Sequence, residues 1–197
     1  MNFFKTIFGK PNPIKQSINV IKYPDKIIFE TYNKIKNSYS TRSLDVSVLE
    51  INSSNKDIGK YILKHLSLSK TINKESDEER KVNNEVYKKI TGLKTMKAQM
   101  KDALNVHISR ENNQIHFYPT INGGTSGSRK GFHFSEEKIT IEYSENNELI
   151  GETLKLTLEK CKYKQTVHNK ALAKCGVKCK VELLCLLNRQ KPILLAF

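Results

Sequence analysis

An α+β fold, an antiparallel sheet packed with helices, follows from three features of the sequence. Runs of alternating apolar and polar residues recur along the chain, as in Ser43-Leu44-Asp45-Val46-Ser47-Val48 and Lys138-Ile139-Thr140-Ile141-Glu142-Tyr143, and period-2 alternation marks a half-buried strand. Other stretches carry the 3.6-residue period of amphipathic helices. Two of these helical stretches are near copies: residues 58–70 read IGKYILKHLSLSK and residues 150–162 read IGETLKLTLEKCK. At an offset of 92 residues, Ile58 falls on Ile150, Gly59 on Gly151, Ile62 on Leu154, Leu66 on Leu158 and Lys70 on Lys162. The pattern predicts a duplicated strand-IG-helix unit.

In chain order, residues 1–16 form a proline-punctuated leader, residues 17–162 a single α+β domain, and residues 163–197 an atypical C-terminal extension. SINVIKY and KIIFETY flank Pro24-Asp25, a turn signal, and predict a β-hairpin. The strand over 43–48 then feeds the first repeat helix, with Ser54, Asn55 and Asp57 available as N-caps. A glycine in the first turn of a helix costs about 1 kcal/mol against alanine, so its recurrence at Gly59 and Gly151 predicts close backbone approach to the sheet.

Beyond Lys70, acids gather at Glu75, Asp77, Glu78 and Glu79 and lysines at Lys88 and Lys89, the polarity that a helix dipole favours. Ser76 and Glu79 have capping-box spacing and Gly92 stands at the C-terminal stop. With few apolar residues this helix lies on the surface. A further helix, LKTMKAQMKDAL, offers Leu93, Met96, Met100, Ala103 and Leu104 to the core.

NVHISR and QIHFYPT then read as a hairpin with Asn112-Asn113 at its tip, which puts Val106, Ile108, Ile115 and Phe117 on the core face. His107, Ser109, His116 and Tyr118 share the other face. INGGTSGSRKGFHF reads as a flexible loop, followed by a strand over 138–143 and the second repeat helix, which Ser144, Asn146 and Asn147 can cap.

Composition narrows the function. Lys and Arg outnumber Asp and Glu by 34 to 20, so an acidic partner surface or nucleic acid is electrostatically attractive. The excess is lysine spread along the chain, without a basic-aromatic motif, which leaves nucleic-acid binding as the alternative reading. No run approaches the roughly 18 apolar residues of a membrane span. Lys5, Gly9, Lys10 and Pro11 interrupt the start before a signal-peptide core can form, so a cytoplasmic location without membrane contact is expected. All four cysteines, Cys161, Cys175, Cys179 and Cys185, fall in the last 37 residues, which is not how a disulfide framework is distributed.

No constellation stands out as catalytic. The loop Gly123 to Gly131 lacks Gly-Lys-Ser/Thr and precedes a strand, whereas a phosphate cradle needs a helix N-terminus after its glycines. His107 and His116 with Tyr118 could form a cross-strand acid/base pair, as in a small nuclease, but no carboxylate or thiol at ligand spacing joins them. His65 and His133 each stand alone. His168, Cys175, Cys179 and Cys185 lack the tight CxxC pairs of structural zinc sites. The reading is a binding protein, not an enzyme, without metal or cofactor.

Three segments, SLDVSVLEINSSNKDIGKYILKHLSLSK, YKKITGLKTMKAQMKDALNVHISRENNQIHFYPT and KITIEYSENNELIGETLKLTLEKC, together resemble a known family. In their order and in the duplicated helix they are similar to immunity proteins of bacterial contact-dependent growth inhibition, the CdiI type. The resemblance covers roughly residues 40–162 and implies a stoichiometric inhibitor of a cognate toxin C-terminal domain. It further implies that the toxin is a nuclease and that a toxin β-hairpin adds to the inhibitor. Patterning places the toxin contact on His107, His116, Tyr118 and Thr120 of the hairpin, with Arg129, Lys130 and His133 of the Gly-Ser segment. Residues 163–197 extend past the resembling part and are expected to be dispensable.

Overall fold

The computed structural model describes residues 15–163. The expectations for most of the leader, for all but the first residue of the C-terminal extension and for its cysteines lie outside the described residues.

The first hairpin pairs β1 (Lys15–Lys22) with β2 (Lys26–Ile35) around Pro24-Asp25. β1 thus begins at Lys15, two residues inside the stretch read as leader. β3 (Ser40–Glu50) adds to β2 and leads into α1 (Asn55–Leu68). After a two-residue strand, β4 (Thr71–Ile72), come α2 (Asp77–Thr91) and a single turn, α3 (Met96–Met100). The second hairpin, β5 (Leu104–Glu111) and β6 (Gln114–Asn122), turns at Asn112-Asn113, where Asn112 adopts φ 52°.

β7 (Phe132–Phe134) and β8 (Ile139–Glu142) pair with successive parts of β6, α4 (Asn147–Glu159) follows, and β9 (Lys162–Tyr163) lies parallel to the end of β6. The main order is β3-β2-β1-β5-β6, with β7 and β8 beyond β6. The expected α+β architecture is the one observed.

Alternation gives the sheet two faces with different covers. Ile18, Val20, Ile27, Phe29, Val106, Ile108, Ile115 and Phe117 point to one face. Ile58, Ile62 and Leu66 of α1 and Ile150, Leu154 and Leu158 of α4 close over them. Each such side chain contributes about 1.5–3 kcal/mol on burial, so this is the principal core. His65 belongs to it: 1 % exposed, it bonds through Nδ1 to Thr31 Oγ1 (2.8 Å) and through Nε2 to Ser47 Oγ (2.9 Å), and burial lowers its pKa to about 4.

The two repeat glycines do sit at a close backbone approach, but to the opposite helix and not to the sheet. A Cβ on Gly59 would stand 1.9 Å from the carbonyl oxygen of Asn147, and one on Gly151 would stand 2.0 Å from that of Asn55. Asn55 and Asn147 open α1 and α4, so the helices cross at their first turns and each glycine admits the other's backbone. The strand order echoes this exchange, since hairpin, edge strand and helix occur on each side of the β1–β5 contact. That is a correspondence of arrangement and does not establish a duplication; β3 has 11 residues and β8 only 4.

On the other face α2 and the segment after it cover a smaller cluster: Ile21, Tyr23, Ile28, Tyr87 and Ala103, with Val46, Leu93 and Phe132 against it. Ser76 and Glu79 form the predicted capping box and Gly92 ends α2 at φ 75°. Because α2 buries only Tyr87 and Thr91, its caps matter. Ser76→Ala is expected to lower stability by about 1 kcal/mol, read as an earlier urea midpoint at unchanged slope.

The helix read over LKTMKAQMKDAL shrinks to α3. Thr95 caps it, Asp102 turns the chain at φ 53°, and Leu104 already belongs to β5. Met100 and Ala103 are buried as expected, whereas Met96 is 62 % exposed.

Candidate functional site

The part of the second face beyond α2 and α3 carries the polar side of the β5–β6 hairpin, on which His116 is only 6 % exposed. His107 stands opposite Tyr118, and Ser109 opposite His116. Val106, Ile108, Ile115 and Phe117 are fully buried on the far side, as the alternation predicts.

The rings form one cluster. His107 and Tyr118 lie 6.0 Å apart between centroids, and His116 and Tyr118 6.2 Å. Phe134 from β7 joins them at 5.3 Å from His107 and 5.6 Å from Tyr118. Lys138 places its ammonium 5.8 Å from the Tyr118 ring centre.

Each histidine is held from the side. His107 Nδ1 lies 2.9 Å from Asn19 Oδ1 on β1, so Nδ1–H donates and Nε2 is left as an acceptor. Burial pulls the His107 pKa down to about 4, so this imidazole is neutral at pH 7. His116 Nδ1 lies 2.9 Å from Thr140 Oγ1 of β8. Neither ring has a carboxylate among these partners, the usual means of orienting a histidine base. Among the described residues no group of His, Cys, Asp and Glu is placed to hold a metal ion.

The remaining predicted residues divide. Thr120 is 2 % exposed and its hydroxyl donates to the Asn105 carbonyl at 2.7 Å, which occupies it structurally. Arg129 and Lys130 are exposed in a tight loop. The loop is closed by Gly123 N–H to Gly131 O (2.8 Å) and by Gly131 N–H to Gly124 O (2.9 Å). A Cβ on Gly123 would meet Arg129's carbonyl oxygen at 1.6 Å, which explains the glycine there. His133 pairs with Ile121 while Phe134 pairs with Thr120, so alternation turns His133 to the face opposite the ring cluster, where its Nε2 reaches the Lys130 carbonyl at 3.2 Å.

The residue missed by sequence reading is Phe134. The segment around it read as loop because three residues are too few to show a period; the apolar–polar–apolar triplet Phe132-His133-Phe134 was the available signal.

Two grooves lie elsewhere. One of about 440 Å³ opens between α4 and the sheet near Leu104 and Cys161, and one of about 470 Å³ lies between α2 and β3 near Leu44 and Val82. Neither is lined by any of the predicted contact residues. Among the described residues no helix is long and apolar enough to cross a membrane.

A structure of a protein of unknown function from Neisseria meningitidis matches at TM-score 0.60 and 18 % identity, covering 75 % of this chain and 95 % of that one. A CdiA-CT/CdiI toxin and immunity complex from Yersinia pseudotuberculosis contains a chain matching at TM-score 0.57 and 21 % identity, covering 75 % of this chain and 97 % of that one. At such identities these likenesses show a shared fold. No curated protein sequence matches. The model of the CDI immunity protein family matches residues 16–161, nearly the whole of the sheet and helices described above, and the chain belongs to that family.

Proposed function

We propose that this protein binds and neutralises a cognate contact-dependent growth inhibition toxin domain, a nuclease, and that it does so by stoichiometric occlusion without catalysis in the cytoplasm. The family match over residues 16–161 carries the reading. The nuclease and the strand addition rest on the resemblance in sequence. Support for strand addition is that β7 and β8, three and four residues long, form one edge of the sheet and flank the ring cluster. A toxin strand laid along that edge would meet Phe134 and Lys138 at once. We place the toxin contact on His107, His116 and Tyr118, with Arg129 and Lys130 of the neighbouring loop.

Co-expression with the cognate toxin domain is expected to rescue growth and the two chains to purify together. Tyr118→Ala and Arg129→Ala are each expected to weaken binding measured by calorimetry. If both leave the affinity within about two-fold, the placement is wrong. Rescue that disappears when His107 or His116 is replaced, while the complex still forms, would point to an enzymatic detoxifier. Salt-sensitive binding of the free protein to random DNA would favour the nucleic-acid reading.

A further inference from the structure

Phe134 is 64 % exposed at the rim of the sheet. A single exposed apolar residue is ordinary on a protein surface, but three features set this one apart. Its ring is wedged on His107 and Tyr118 with centroids 5.3 and 5.6 Å away, so it is held in place while presenting most of its surface to water. It continues a packed face: Phe132, two residues earlier on the same side of β7, lies against the cluster under α2. And one of the two rings it packs against, His107, carries no charge on a chain of formal net charge +14, with the Lys138 ammonium on the far ring, 5.8 Å from the centre of Tyr118. The neighbouring His107 is neutral at physiological pH, with Nδ1 engaged by Asn19 and Nε2 left as an acceptor.

A pre-oriented aromatic ring loses little conformational entropy on docking and removes a large apolar area from water. Anchors of this type, in contacts from which water is excluded, supply most of the energy of protein interfaces. We propose that Phe134 is the anchor of the toxin interface, inserting into an apolar pocket of the toxin domain whose rim offers a hydrogen-bond donor to the His107–Tyr118 pair. The inference rests on the functional reading above and deepens it. It assigns the dominant contact to a residue outside the charged loop, and it makes the complex long-lived for apolar reasons, with the net charge acting on encounter.

The test is surface plasmon resonance with the full chain and its cognate toxin domain. Phe134→Ala is expected to raise the dissociation rate about 30-fold or more, the scale of a hot-spot ring, with the melting temperature unchanged because the ring is mostly solvated. Phe134→Leu, which keeps apolar bulk, is expected to fall between. Dissociation of the unaltered complex is expected to change little from low to high salt. A tight unaltered complex whose dissociation rate moves less than about two-fold in Phe134→Ala would overturn the proposal and leave the functional reading standing. Failure of the unaltered chain to bind its toxin would overturn both.

Discussion

Gly59→Ala and Gly151→Ala are each expected to destabilise the fold by about 3 kcal/mol, at the upper end of the usual cost of overpacking. The sign is informative, because at an exposed helical position the same change stabilises by about 1 kcal/mol. Here the new methyl would lie 1.9 Å from Asn147's carbonyl oxygen in one case and 2.0 Å from Asn55's in the other. These obstacles are backbone atoms in the first turns of α4 and α1, so no side-chain rotation relieves them; the helices must move apart. That separation loosens Ile58 and Ile62 against Ile150 and Leu154, all fully buried. Because either substitution forces the same displacement, the double variant should lose less than the sum of the singles. Chemical denaturation of the three variants measures this. A stabilised single variant, or strict additivity, would show that the helices do not meet through their glycines.

The same glycines show how much the sequence could say. That two near-identical stretches are helices, that Ile58, Ile62, Leu66 and their counterparts face a core, and that both glycines mark a close approach were all readable, since each follows from local spacing. What lay against them was not, because a pattern on one helix carries no information about its partner. The β5–β6 hairpin was legible down to its register, since tip asparagines and strict alternation fix both. α3 and β7 were not: Thr95 and Asp102 cut a helical pattern short, and three residues around His133 are too few to display a period.

The candidate site was legible to the same degree. His107, His116 and Tyr118 converge because the hairpin's alternation required it. Thr120 has the right parity but lies where Asn105's carbonyl takes its hydroxyl, and His133 is turned away by its pairing with Ile121. Phe134 enters the cluster only through the pairing of β7 with β6, a contact between segments more than ten residues apart that no local pattern reports.

Replacing Arg42 is expected to have the largest effect on the second face. Glu30 is 1 % exposed beneath α2, with the Arg42 guanidinium 3.2 Å from Oε1 and the Tyr32 hydroxyl donating to Oε2 at 3.2 Å. The same guanidinium lies 3.9 Å from the centre of the Tyr87 ring, the side chain by which α2 is chiefly buried. Arg42→Met therefore strands a buried carboxylate and removes a contact to α2, and the cost is expected to be about 3–5 kcal/mol at neutral pH. Burial already raises the Glu30 pKa, and the Arg42 charge works against that rise. In the variant it climbs further. A carboxylate whose folded pKa lies above its unfolded value contributes stability that is full below the unfolded value, about 4.3, and is lost as pH rises through the folded one. The gap between variant and wild type should thus be smallest near pH 4 and widen toward pH 8, and comparing the two proteins at each pH cancels the opposing titrations of His65 and His107. Glu30→Gln in the Arg42→Met background removes the stranded charge and should recover much of the loss while flattening the pH dependence. Urea denaturation at both pH values, with hydrogen exchange along α2, reads the outcome. An equal gap at the two pH values would mean that Glu30 is not the residue Arg42 neutralises.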